Sequence, residues 1–144
     1  MTQATCAFCR ILDGAEPAAF VAQDERCVAF LDRRPVFYGH TLVVPRRHVD
    51  TLPELPAELL VPLFRMVQLV SRAAESGLGA EGTWVSVNTK VSQSVPHVHV
   101  HVVPRTFSDG LKGFFWPRQR YRDDAHMAET AATLAEAINR LSEE

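Results

Sequence analysis

The sequence predicts an α+β domain in which an antiparallel sheet carries one long inserted helix and one C-terminal helix. Three observations lead there. Short apolar, β-branched runs recur through residues 20–45 and again through 82–103. Residues 59–70 and 127–141 instead place apolar side chains three and four apart, the period of a helix with one buried face. Gly, Pro and polar clusters separate these stretches.

Phe20-Val21-Ala22 and Cys27-Val28-Ala29-Phe30-Leu31 flank the polar stretch Gln23-Asp24-Glu25-Arg26, the pattern of a hairpin with a four-residue loop. Pro35, Gly39 and His40 mark a turn. Thr41-Leu42-Val43-Val44 is then a strand, which Pro45 ends. A helix is expected from about Pro56 to Ser76, with Gly77 just past its end. Pro62 falls inside that pattern and either bends the first turns or moves the start. Residues 82–88 and 97–103 read as two further strands. Asp123 to Ser142 reads as a second helix, with Met127, Ala131, Leu134, Ala135, Ile138 and Leu141 on one face. The first helix is apolar on more than one side, because Leu60, Val61 and Leu69 add to Leu59, Leu63, Met66, Val67 and Val70. That surplus predicts a homodimer, the alternative being that the C-terminal helix covers it.

Composition narrows the function classes. With 144 residues, 47% hydrophobic and 22% charged, the chain is expected to form a single ordered domain spanning 1–144. A net charge of -2 offers no basic excess, so no nucleic-acid partner is expected. No apolar run reaches spanning length, so no membrane partner is expected. The N-terminal stretch lacks a basic flank followed by an apolar run, so no secretory signal is visible. Three cysteines cannot all pair, and two form C-x-x-C, which points to a reducing, cytoplasmic setting.

The chemistry concentrates at residues 97–103, His-Val-His-Val-His-Val-Val. In a strand, alternate side chains share a face, so the imidazoles would stand ~7 Å apart along it while the valines are buried opposite. Three readings follow: an unused polar face, a three-histidine metal site, or a nucleophilic imidazole with helpers. Ligands spaced along one flat strand converge poorly on one ion. A neutral imidazole nitrogen attacks phosphorus when its other nitrogen is fixed by an acceptor. Gln93 and Ser94 lie just upstream, where an amide, a hydroxyl and turn N–H groups suit a phosphate, or serve simply as turn residues.

These residues carry a resemblance. His97-Val98-His99-Val100-His101-Val102-Val103, preceded by Gln93-Ser94-Val95, resembles the signature of the histidine-triad (HIT) family. Phe30-Leu31-Asp32, Pro35 and the run from Gly39 to His48 resemble its upstream segment, and Cys6-Ala7-Phe8-Cys9-Arg10-Ile11 resembles the start of zinc-containing members. The segment from Asp109 to Arg118 is similar to bacterial members. The resemblance implies a HIT-like fold with a five-stranded antiparallel sheet, a homodimer, and a hydrolase or transferase acting at the α-phosphate of a nucleoside phosphate. The substrate would be a phosphoramidate or a dinucleoside polyphosphate.

It further implies His99 as the nucleophile that forms a nucleotidyl-histidine, and His101 at the phosphate or leaving group. Asn88, Gln93 and Ser94 would contact the phosphate, and Asp32 the ribose hydroxyls. Phe8, Ile11, Phe30 and Leu42 would line the base pocket, although by themselves such side chains are usually core. C-x-x-C supplies two thiolates, and His48 and His97 complete a closed set, so a structural zinc on Cys6, Cys9, His48 and His97 is expected; reduced thiols are the alternative. A redox pair is disfavoured because no βαβ pattern surrounds the motif.

There are departures. Ser92 precedes Gln93 where many members have Gly, and the 88–92 stretch is short. Lys90 adds a positive charge near the expected phosphate, which suits more highly charged substrates. Arg33 stands where some relatives carry an apolar residue, and stacks on a base, reaches a phosphate or is solvated. Two other function classes compete: a nucleotide-binding or partner-docking module with little catalysis, and a zinc hydrolase that uses the triad as ligands.

Overall fold

The computed structural model describes residues 3–111 and 118–143. Most of the segment from Asp109 to Arg118, which resembles bacterial members, lies outside the described residues. The chain forms two compact units, one ending at Asp109 and one beginning at Gly110. The first holds the sheet. Its strands are β1 (Phe20–Gln23), β2 (Cys27–Leu31), β3 (Thr41–Pro45), β4 (Gly82–Ser86) and β5 (Val100–Arg105). They run antiparallel in the order β1-β2-β3-β5-β4, so the expected five-stranded antiparallel sheet is present. Gln23 belongs to β1, so the hairpin loop is shorter than expected. Asp24 closes it, its Oδ1 accepting from the N–H groups of Arg26 and Cys27 at 2.8 and 2.7 Å.

Alternation along the strands sorts side chains onto two faces. Cys27, Ala29, Val43, Val98, Val100 and Val102 pack under α2 (Ala57–Leu78) through Leu59, Leu63, Met66, Val67 and Val70. On the other face Val28, Phe30, Leu42 and Val44 pack against the short helix α1 (Ala7–Leu12), with Cys6, Phe8 and Cys9. At six residues α1 makes too few turns for its sequence to show a helical period.

Pro62 does not move the start of α2, which begins at Ala57 and continues through the proline. Proline removes the N–H that would bond the Glu58 carbonyl, and the Arg26 guanidinium takes that carbonyl instead, at 3.4 Å. Nor does the helix end at Gly77. Gly79 terminates it in the left-handed conformation (φ 69°), donating to the Glu75 carbonyl at 3.1 Å, while Ala80 donates to Ala74. Leu60, Val61, Phe64 and Leu69 face away from the sheet and are exposed.

The strands around the triad are shorter than their apolar patterns. β4 ends at Ser86, and β5 begins only at Val100. In register, Val98 would face Pro45, which has no N–H to donate to the Val98 carbonyl. The Pro45 carbonyl receives the His97 ring at 2.8 Å, and Val98 N–H bonds the Val49 carbonyl at 2.7 Å. His97 and His99 thus stand on an extended lead-in, and His101 alone of the three is in the ladder, opposite Leu42 and Ser86.

In the second unit α3 (Asp124–Ser142) begins on Asp123, whose Oδ1 accepts from His126 N–H at 2.7 Å. No described helix is long and apolar enough to cross a membrane.

Candidate active site and metal centre

β5 and its lead-in carry the three imidazoles, and each meets a different environment. His97 is fully buried and turns Nδ1 towards Cys6 Sγ and Cys9 Sγ, both at 3.5 Å. Cys9 Sγ also lies 3.3 Å from His48 Nδ1. In a tetrahedral zinc site, sulfur and nitrogen ligands stand about 3.5 Å apart, given Zn–S of about 2.3 Å and Zn–N of about 2.0–2.1 Å. The four ligand atoms all fall within 4.8 Å of one another. The outer ring nitrogens are held as metal-bound histidines require: His97 Nε2 donates to the Pro45 carbonyl at 2.8 Å, and His48 Nε2 to Asp50 Oδ1 at 2.7 Å. The residues present therefore fit the metal. Burial is the largest cause raising Cys9 to about 12, with Cys6 adding to it, so the free thiol is a poor redox nucleophile.

His99 is buried and meets Phe8 edge to face at 5.0 Å. Its Nδ1 lies 2.8 Å from the His97 carbonyl, which only accepts, so Nδ1 carries the proton and Nε2 keeps its lone pair. Burial lowers the His99 pKa; the hydrogen bond to His97 and the Asp32 charge oppose this. Desolvation outweighs both.

His101 stacks obliquely beside His40, a residue of the turn and of the Gly39–His48 run to which the sequence reading assigned no role. His40 Nδ1 accepts from Val36 N–H at 3.1 Å, which forces its proton onto Nε2. That N–H donates to His101 Nδ1 at 3.0 Å, so His101 carries its own proton on Nε2. Asp32 Oδ2 stands 3.7 Å from His40 Nε2. Asp32, His40 and His101 approach one another as metal ligands would. The Val36 N–H argues against that use, because an Nε2 already protonated has no pair to offer an ion. The cluster is a hydrogen-bonded chain that fixes a tautomer. Burial, helped by His99 and His40, pushes His101 down to about 4.

This predicts a nitrogen-15 NMR result. His40 and His101 should both show the Nε2–H tautomer, and His101 should stay neutral until about pH 4. The unfolded chain takes up that proton near 6.5, so the folded state binds fewer protons in between and loses stability as pH falls through the window. A His101 titrating near 6.5 in the folded chain would contradict the geometry.

A cleft of about 850 Å³ opens over this face. It is lined by His99, His101 and Ser94 at one side and by Phe8, Ile11, Phe30, Leu42 and Asp32 among others. Arg33 lies at its rim, donating to the Pro17 carbonyl at 2.8 Å. Of the remaining residues singled out from the sequence, Asn88 is half-buried and Gln93 is part-buried; neither lines the cleft. Gln93 spends its amide on backbone groups. His97, His99 and His101 do not converge on a common point, so the triad as one metal site is not formed.

The model of the HIT domain family matches residues 13–108. The chain belongs to the HIT family. An uncharacterized HIT-like protein of Mycobacterium tuberculosis, Rv1262c, is 36% identical over 138 residues, 92% of either chain. Adenosine 5'-monophosphoramidase hnt1 of Schizosaccharomyces pombe is 33% identical over 115 residues, 78% of this chain and 84% of the relative. A solved Zn-bound histidine triad family protein from Mycobacterium smegmatis superposes with a TM-score of 0.73 at 35% identity, covering 94% of this chain and 99% of that one.

In this HIT protein His40 is the residue that sequence reasoning passed over. The signal was present, since a histidine between Gly39 and Thr41 immediately precedes β3, two positions before Leu42, which pairs with His101. Nothing in the spacing showed that Val36 N–H would set its tautomer.

Proposed function

We propose that this HIT protein is a hydrolase or transferase acting at the α-phosphate of a nucleoside phosphate derivative, a phosphoramidate or a dinucleoside polyphosphate. The observation that carries the reading is the His99–His97 hydrogen bond, which leaves His99 Nε2 unprotonated beside the cleft. The base lies among Phe8, Ile11, Phe30 and Leu42, and the ribose diol on Asp32. Ser94 and the His101 Nε2–H face the phosphate oxygens and the leaving group. His99 Nε2 attacks phosphorus, the bond to the leaving group breaks, and the nucleotidyl group is held on the ring until water or another acceptor takes it. The relative named as an adenosine monophosphoramidase supports an adenosine substrate. The test is kcat/KM across nucleoside phosphoramidates, adenylated amines and dinucleoside polyphosphates. Saturable turnover of one class with AMP or its analogue as product supports the reading. Tight nucleotide binding without turnover would leave a binding module.

Cys6, Cys9, His48 and His97 would hold a structural zinc, as their spacing and the Zn-bound relative support. The ion would neutralise two buried thiolates and fix the carbonyl of His97 against His99. A homodimer is supported by exposed Leu60, Val61, Phe64 and Leu69 on α2 and by the open edge of β4. Light scattering at micromolar protein should give twice the chain mass; a concentration-independent monomer would sink the dimer.

A further inference from the structure

Among the described residues other than glycine, Lys90 (φ 63°) and Ser92 (φ 60°) adopt positive φ. A Cβ crowds the backbone in this left-handed region, so such residues persist only where their surroundings hold them. Here they lie in the short stretch leading to Ser94 and the triad. Glycine would take the Ser92 conformation freely.

The Gln93 side chain is placed to hold the strained turn. Its Oε1 accepts from Lys90 N–H at 2.8 Å. Its Nε2 donates to the Asp50 carbonyl at 2.6 Å and to the Val95 carbonyl at 3.0 Å. The amide thus has one acceptor and both donors engaged, two of the bonds within its own loop and one to the Asp50 segment. Asp50 is itself anchored, because its carboxylate receives His48 Nε2–H at 2.7 Å. The bond from Val98 N–H to the Val49 carbonyl, 2.7 Å, joins the same two segments next to it.

We propose that Gln93 is a positioning residue, whose amide clamps the strained 90–92 turn to the Asp50 segment and so sets Ser94 and the turn N–H groups against His99. The inference rests on reading the cleft as a nucleoside phosphate site. It moves Gln93 from the phosphate to the loop that carries the phosphate contacts. It also makes the loop and the outer shell of the metal centre one hydrogen-bonded unit, through Asp50.

Gln93→Met tests this in the full, metal-loaded chain, since methionine keeps the length and loses all three hydrogen bonds. Amide hydrogen exchange should speed up about tenfold or more at Lys90, with α2 and the sheet unchanged. KM should rise about tenfold while kcat changes less than about threefold. Ser92→Gly removes the crowding at φ 60°, so in that background the KM rise caused by Gln93→Met should shrink. Should the methionine variant fail to fold, Gln93→Glu carries the same kinetic comparison, keeping the acceptor and losing both donors. Unchanged Lys90 exchange in Gln93→Met, or an equal KM penalty with serine and glycine at position 92, would overturn the clamp. If the wild-type chain turns over no nucleoside phosphate, the functional reading fails, and exchange at Lys90 alone decides the clamp.

Discussion

Replacing His99 by alanine lowers kcat by roughly 10⁴-fold or more on the best substrate, while nucleotide affinity changes little. The size follows from the role. A nucleophile that forms a covalent intermediate has no substitute in the cleft, because His97 faces Cys6, Cys9 and His48, and His101 holds its free nitrogen protonated. The affinity should survive because the proposed base and ribose contacts fall on Phe8, Ile11, Phe30, Leu42 and Asp32, which line the cleft apart from the triad. His101→Ala should cost less, and its cost should shrink as the leaving group becomes more acidic, since a good leaving group needs less help from a hydrogen-bond donor. Steady-state kinetics on both variants, with nucleotide binding measured by calorimetry, checks the pair. A His99→Ala enzyme at wild-type rate would leave only the binding module.

The second large effect is on stability. Cys9→Ser should release the metal and lower the melting temperature, because Cys9 Sγ lies within 3.5 Å of both His97 and His48. With free zinc about a thousandfold above its Kd, the bound ion contributes about 4 kcal/mol to folding. For a domain of this size that corresponds to roughly 10 °C. The loss should reach activity as well, since the His97 carbonyl accepts from His99 Nδ1 and the His97 ring belongs to the cluster proposed to hold the ion. Metal analysis of the purified protein should find one zinc per wild-type chain and much less in the variant. A wild-type chain with only a small fraction of zinc, melting at the same temperature as Cys9→Ser, would contradict the site.

Much of this fold could be read from periodicity, and the places where reading failed have physical causes. β2 and β3 are continuous apolar runs because both faces are covered, one by α2 and one by α1. The bounds of α2 depended on two residues that act against local preference. Pro62 is tolerated because Arg26 reaches from another element to the Glu58 carbonyl, and Gly77 is passed because Gly79 is the residue that turns left-handed. The alternation from His97 to Val103 marked a shared face correctly but not the start of β5, which Pro45 decides from the neighbouring strand. The gathering of the cysteine pair with both distant histidines was legible, since thiols and imidazoles in that combination suit a metal, and their ligand atoms do fall within 4.8 Å of one another. His40 and the Gln93 amide were not. Their roles lie in which backbone N–H or carbonyl each side chain meets, and that is set by the folded path of residues 36, 50, 90 and 95.

The most direct measurement is to quench the wild-type enzyme during turnover of a radiolabelled nucleoside phosphoramidate and map the label by mass spectrometry after digestion at alkaline pH. The label should sit on the peptide carrying His99, as a nucleotidyl group bonded to Nε2, and it should be stable to base and lost in acid. It should be missing from His99→Ala and more abundant where the leaving group is good, because formation of the adduct then outpaces its hydrolysis. Full turnover with no label on the protein at any quench time, or label on a residue other than His99, would contradict nucleophilic attack by this histidine.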